Sequence, residues 1–219
     1  MTAVPDDAVP DDDVPDDDVI GRLELAVRRV AAYTAGRVPD GRSHDDADEV
    51  AGTVDTDDAA GFDPFPLLRA LDRCGARVVV IGQVAGILHG SAELTGDLDL
   101  LWSGDADQGA RLARGFGAAG AVLTDDDGRA VGCDPAAFAL AKVQFRTGTA
   151  SGDCCTPALA WGALAVADML ARARAAVAAD GTVIRYLDRP DLIAMRRAVA
   201  RPKDLRRAAE LEQLSDRSR

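Results

Sequence analysis

Two aspartates separated by one residue, Asp97-Leu98-Asp99, are the groups in this 219-residue chain whose types and spacing best suit chemistry. The alternation Asp97-Leu98-Asp99-Leu100 is that of a strand, and strand residues two apart share a face with Cα atoms roughly 6.5 Å apart. Both carboxylates therefore point one way, while Leu98 and Leu100 face a core. Such a pair repels itself unless a cation sits between the two groups. The competing reading is a pair of solvated strand-edge carboxylates. It fits poorly with Leu98, Leu100, Leu101 and Trp102, because an apolar neighbourhood makes two unpaired charges costly.

The elements that must position this pair lie just before it. Val78 to Ile81 is a β-branched run with the length and composition of a buried strand. Gly82 breaks that strand, Val84 to His89 carries the apolar periodicity of a short helix, and Gly90 stops it. A polar turn through Thr95 and Gly96 then leads into the aspartates.

The order of hydrophobic strand, glycine, short helix and Asp-x-Asp strand resembles the polymerase-β-type nucleotidyltransferases, in particular the small bacterial ones related to toxin-antitoxin systems. Thirteen residues separate Gln83 from Asp97, a spacing that family allows. Where the family has Gly-Gly or Gly-Ser, this chain has Gly82-Gln83. The Gln83 amide would either donate to a phosphate oxygen or obstruct it. The resemblance covers about Phe62 to Leu214 and includes Asp191 to Leu205, DLIAMRRAVARPKDL, where family members often carry a lysine in place of Arg196.

The resemblance implies an α/β (α+β) fold, a nucleotidyltransferase-like mixed β-sheet flanked by helices, with a C-terminal helical portion. It implies a third carboxylate on a neighbouring strand, and matching Lys142 to Thr147 and the following Gly-Asp-Cys-Cys onto the family pattern selects Asp153. The implied reaction is Mg²⁺-dependent transfer of a nucleoside monophosphate from an NTP, such as ATP, to a hydroxyl acceptor, with release of pyrophosphate. One Mg²⁺, held by Asp97, Asp99 and Asp153, would lower the acceptor hydroxyl's pKa, and a second, held by Asp97 and Asp99, would bind triphosphate oxygens. Backbone N–H groups around Gly82 and Gln83 would cradle the leaving phosphates. Arg196, Arg201 and Lys203 would steer triphosphate or an RNA acceptor. The acceptor class stays open among RNA, a protein side chain and a small molecule such as an aminoglycoside. A catalytically weak relative that binds nucleotide or a toxin-antitoxin partner is the second implication, and Gln83 is the feature that favours it.

The net charge of -12 is unevenly placed. Residues 1 to 61 hold 17 acidic and 5 basic side chains, whereas the remainder holds 20 of each. The acidity thus belongs to a leader. Residues 1 to 18 repeat Val-Pro-Asp-Asp-Ala/Asp with Pro5, Pro10 and Pro15 in phase, a composition that predicts an extended, disordered tail. Val19 to Ala35 has helical periodicity, and Arg37 to Gly61 reads as a linker. The division expected is therefore a tail at 1–18, a peripheral helix and linker at 19–61, and the main domain from Phe62 to the end. Aromatics make up only 4% of the chain, so a stacking platform for single-stranded nucleic acid is not expected.

Four cysteines, Cys74, Cys133, Cys154 and Cys155, lack C-x-x-C spacing. With no signal-like or membrane-spanning run, they predict a soluble protein of the reduced cytoplasm, without a membrane partner. Further along, helices are expected at Pro64 to Cys74, Asp105 to Phe116 and Leu164 to Arg174, and strands at Ala121 to Thr124, Phe138 to Phe145 and Thr149 to Cys155. The run Asp125 to Gly128 is expected to turn a hairpin, as is Asp180-Gly181 between Ala175–Val177 and Thr182–Tyr186. Asp188 would cap a helix carrying Pro190 in its first turn, and Pro202 would divide the C-terminal region into two helices. His89 is expected to be exposed or capping.

Overall fold

The computed structural model describes residues 18–43 and 52–217. The proline-aspartate repeat, apart from Asp18, lies outside the described residues. Along the chain come α1 (Val19–Thr34), α2 (Phe65–Arg73), β1 (Val79–Val80), α3 (Gly82–Leu88), β2 (Leu100–Leu101), α4 (Ala106–Ala118), β3 (Val122–Thr124) and β4 (Ala130–Val131). They are followed by β5 (Lys142–Arg146), β6 (Ser151–Cys155), α5 (Val166–Ala171), β7 (Arg174–Val177), β8 (Val183–Tyr186), α6 (Arg189–Val199) and α7 (Pro202–Arg217). The fold is a mixed α/β arrangement in which helices flank one sheet and two of them close the C-terminus.

Eight strands are hydrogen-bonded in the order β4-β3-β5-β6-β2-β1-β8-β7. β2 runs antiparallel to β1 and parallel to β6, while β1 runs parallel to β8. The short central strands are the most apolar: Val80, Leu100 and Leu101 are fully buried, and Cys154 beside them nearly so. The outer strands form antiparallel hairpins. Asp125 N donates to Arg129 O at the first turn, and Ala178 N to Thr182 O at the second, as the Asp-Gly sequences require.

The expected strand at Asp97 to Leu100 contracts to Leu100–Leu101. The chain before it still runs extended against its neighbours, with Leu98 N donating to Ser151 O and Ile81 N donating to Asp99 O. The expected strand from Phe138 begins only at Lys142, because residues 137–139 form a 3-10 turn that stacks Phe138 on Phe116 at 5.3 Å. Asp188 precedes α6 without a side-chain capping bond, its carboxylate lying 4.0 Å from the Arg174 guanidinium instead.

The boundary expected at Phe62 is corrected by the packing of the preceding chain. Ile20, Leu23, Ala26 and Val30 of α1 belong to the same core as the sheet. Fully burying side chains such as Leu23 and Val30 stabilises by about 1.5–3 kcal/mol each. Arg22 also donates to the carbonyl of Leu88 at the end of α3 (3.1 Å). The expected linker forms 3-10 turns at Thr53–Asp55 and Asp57–Ala59, burying Thr53, Val54 and Ala59. Residues 19–61, as far as they are described, are thus built into the domain. Among the described residues no helix is long and apolar enough to cross a membrane.

Candidate active site

Gly82 opens the site because its backbone does two things no other residue can combine. Its φ is +61°, a left-handed value that side chains disfavour. A Cβ there would also overlap Oδ2 of Asp99. The sharp turn from β1 into α3 therefore brings the helix start directly against the second aspartate.

Asp97 and Asp99 precede β2 on the side opposite Leu98 and Leu100, both of which are fully buried. Asp97 is itself buried at 9% exposure. The hydroxyls of Thr53 (2.8 Å) and Thr95 both lie within hydrogen-bond reach of its Oδ1, and 2.8 Å from one another. With one proton each, the two hydroxyls can satisfy only two of those three contacts. Thr53 also accepts from Gly96 N at 3.0 Å, fixing the turn that delivers Asp97.

Asp153 joins the pair through strand register. Leu100 pairs with Cys154 and Leu101 with Cys155 in the parallel β2–β6 ladder, so one step back Asp99 lies level with Asp153. Gly152 permits this close approach, since a Cβ on it would overlap the Leu98 carbonyl. Desolvation pushes the Asp99 carboxyl well above the usual carboxylate range, reinforced by the charges of Asp97 and Asp153. The fold has gathered three acids whose charges act on one another.

Lys142 on β5 is a cation held beside Asp153. Its ammonium lies 2.9 Å from Asp126 and 3.5 Å from Asp153. Partial burial works against its charge, but the two carboxylates outweigh burial and hold it above the ordinary lysine range. Among the described residues no three His, Cys, Asp or Glu side chains are grouped closely enough to hold a metal ion. The donor set nevertheless has the chemistry of a hard divalent cation site, oxygen ligands with unbalanced negative charge. As the side chains stand, Asp97 Oδ1 accepts from hydroxyls and Asp153 faces Lys142.

Two further candidates, Gln83 and Arg196, are tied into the scaffold. Gln83 is 3% exposed, and its amide nitrogen donates to Ser91 Oγ (2.9 Å) and to Glu93 O (2.7 Å). Both N–H bonds are spent, so the side chain neither reaches a phosphate nor stands in the opening. Arg196, expected to steer triphosphate, is 4% exposed. It donates to Gln83 Oε1 (2.7 Å), to Gly82 O (3.1 Å) and to Arg207 O (3.0 Å). Burial lowers its pKa to about 10, with the Arg207 charge adding to the effect. Gly86 leaves room for this pair, because a Cβ there would lie 2.7 Å from the Arg196 guanidinium. Lys203 is buried in the first turn of α7, and Arg201 pairs with Asp204 at 2.6 Å.

His89 is the C-cap residue of α3, one of the two alternatives expected, but its side chain is buried rather than exposed. Its Nε2 lies 2.8 Å from Leu187 O and its ring meets Tyr186 edge-on at 5.0 Å. Thr53, Thr95 and Lys142 are the site-forming residues that sequence pattern did not single out. Thr95 lies two residues before Asp97 and could have been suspected by alternation; Thr53 is 44 residues away and carries no local signal. No protein-family model matches the chain, and no curated protein matches it.

Proposed function

We propose that the protein is a nucleotidyltransferase that moves a nucleoside monophosphate from an NTP to a hydroxyl acceptor and releases pyrophosphate. The observation that supports this most directly is the seating of Asp99 on Gly82, with Asp97 two residues before it and Asp153 level with it on β6. A left-handed glycine between strand and helix, spent on admitting a desolvated carboxylate, is a costly arrangement for stability alone.

In this reading Asp97, Asp99 and Asp153 would hold Mg²⁺, which when bound supplies charge neutralisation for the triphosphate and lowers the pKa of the attacking hydroxyl. Thr53 and Thr95 fix the rotamer of Asp97. Lys142 balances Asp153 in the resting site and would be displaced, or turned toward substrate oxygens, on loading. With Gln83 and Arg196 committed elsewhere, the groups left to grip phosphate in this reading are backbone N–H groups of the first turn of α3, with Arg201 and Lys203 to steer it.

The test is incubation of the full chain with each α-³²P-labelled NTP, Mg²⁺ and a cell extract. Label incorporation into RNA, protein or small molecules is expected, with loss in Asp97→Asn and Asp99→Asn. Equal incorporation by the double variant would end the proposal. The commitment of both Gln83 donors favours a second reading, a catalytically weak protein that binds nucleotide or a toxin-antitoxin partner. Mg²⁺-dependent NTP binding by calorimetry without label transfer would select it.

A further inference from the structure

The turn between α2 and β1 lies at the end of β1 opposite Gly82, and arginines gather around it. Arg77 precedes the strand and Gly82 follows it, a separation of roughly 16 Å in extended chain. Gly75 holds the turn at φ +67°, and Arg111 of α4 donates to its carbonyl at 3.2 Å. Arg77 N donates to Gln108 Oε1 (3.0 Å), one helical turn before Arg111, and Arg114 lies the same distance beyond it. Gly115 meets Leu71 where α2 and α4 cross closely, which puts Arg73 at the same end of the helix pair. Arg73, Arg77 and Arg114 are exposed and Arg111 is half-buried.

Among the described residues none of these four arginines forms an ion pair, and the only bond from their side chains is that of Arg111 to Gly75. The acids on the same elements are turned to neutral donors: Asp72 accepts from Val183 N (3.1 Å), Asp105 from the Ser103 hydroxyl (2.6 Å) and Asp107 from the Gln108 amide (3.3 Å). Elsewhere arginines are matched, as Arg172 is by Asp191, Arg197 by Glu212 and Arg206 by Glu93. An unmatched basic surface is complementary to an anionic partner. From Phe62 onward the chain holds 20 acidic and 20 basic side chains, so no general positive field draws in a phosphodiester chain. Residues 1 to 18, in contrast, carry eight aspartates and no basic side chain. The 17 residues ahead of Asp18 can span up to about 55 Å, against roughly 40 Å for the diameter of a domain of this size. A segment tethered at that length meets the surface at an effective concentration of about a millimolar.

We propose that the acidic repeat at the start of the chain docks on this arginine surface of the same molecule. The contact does not depend on the transferase reading. It is tested on the full chain with phenylglyoxal, which modifies accessible arginine side chains, read site by site through peptide mass spectrometry. In about 20 mM NaCl, Arg73, Arg77 and Arg114 should react at least about threefold more slowly in the wild type than in a full-length variant with Asp6, Asp7, Asp11, Asp12, Asp13, Asp16 and Asp17 all changed to Asn. Asp18 is retained because it caps α1, accepting from Gly21 N at 2.8 Å. Arg28, exposed on α1 and likewise without an ion pair among the described residues, is the reference and should react equally in both proteins. The protection should vanish in about 0.5 M NaCl, and an excess of a peptide of residues 1–17 should restore it in the Asn variant at low salt. That peptide arm keeps the test valid if the substitutions alter reactivity generally. Equal rates in the two proteins at low salt, protection as strong at Arg28, or failure of the peptide to restore it would overturn the proposal. Protection that grows with protein concentration would place the contact between chains, and shielding that appears only when dodecaadenylate is added would give the surface to a phosphodiester chain; either result also overturns it.

Discussion

Asp99 rests on the bare α-carbon of Gly82: a methyl group at residue 82 would occupy space already held by the Asp99 carboxylate. This contact joins the turn that starts α3 to the acid that precedes β2, and it makes both residues sensitive to substitution in different ways.

Gly82→Ala combines a left-handed backbone at φ +61° with that overlap. A loss of at least about 2 kcal/mol in unfolding free energy is expected. Urea denaturation of the variant checks it, and a change smaller than roughly 0.5 kcal/mol, the scale of an ordinary surface substitution, would contradict the geometry.

Asp99→Asn removes a carboxyl that desolvation, Asp97 and Asp153 all push toward its protonated form. The thermal midpoint should rise while label transfer falls by about 100-fold or more. A variant that loses both stability and activity would mean the acid is structural.

Gln83 and Arg196 are expected to act as one unit, since Oε1 of the first accepts from the guanidinium of the second at 2.7 Å in a buried setting. Each of Gln83→Ser and Arg196→Met should destabilise, and a double-mutant cycle should give a coupling of about 1–3 kcal/mol. Additive effects would show that the two side chains hold the helices independently. Activity that rises in Gln83→Ser would restore the obstruction idea that the buried amide now disfavours.

His89 supplies the pH dependence. Burial lowers its pKa from 6.5 to about 4, against the smaller opposing effect of the Leu187 carbonyl. The folded state therefore resists a proton that the unfolded chain accepts below pH 6.5. Stability is fully present above that value and falls as pH drops from 6.5 to about 4, by about 3 kcal/mol in all for this one group. Comparing urea midpoints at pH 7 and pH 4.5 for the wild type and His89→Gln measures it. Identical pH slopes would place the acid sensitivity elsewhere.

The sequence alone determined the local elements. Val78 to Ile81 announced a buried strand through its β-branched run, Gly82 its end, and Asp180-Gly181 a hairpin, because these signals arise from sterics and turn chemistry within a few residues. Alternation likewise put Leu98 and Leu100 inside and the two aspartates on the other face. Only the tertiary structure decided what those aspartates meet. Thr53 reaches Asp97 across 44 positions, and strand pairing sets Asp153 level with Asp99. Arg196 reads as a solvent-facing cation in a helix rich in charge, yet it is buried by α3 and α7 and consumed by Gln83, Gly82 and Arg207. Long-range packing assigns such partners because a buried donor must find an acceptor wherever the folded chain provides one, and no periodicity in the sequence records that choice.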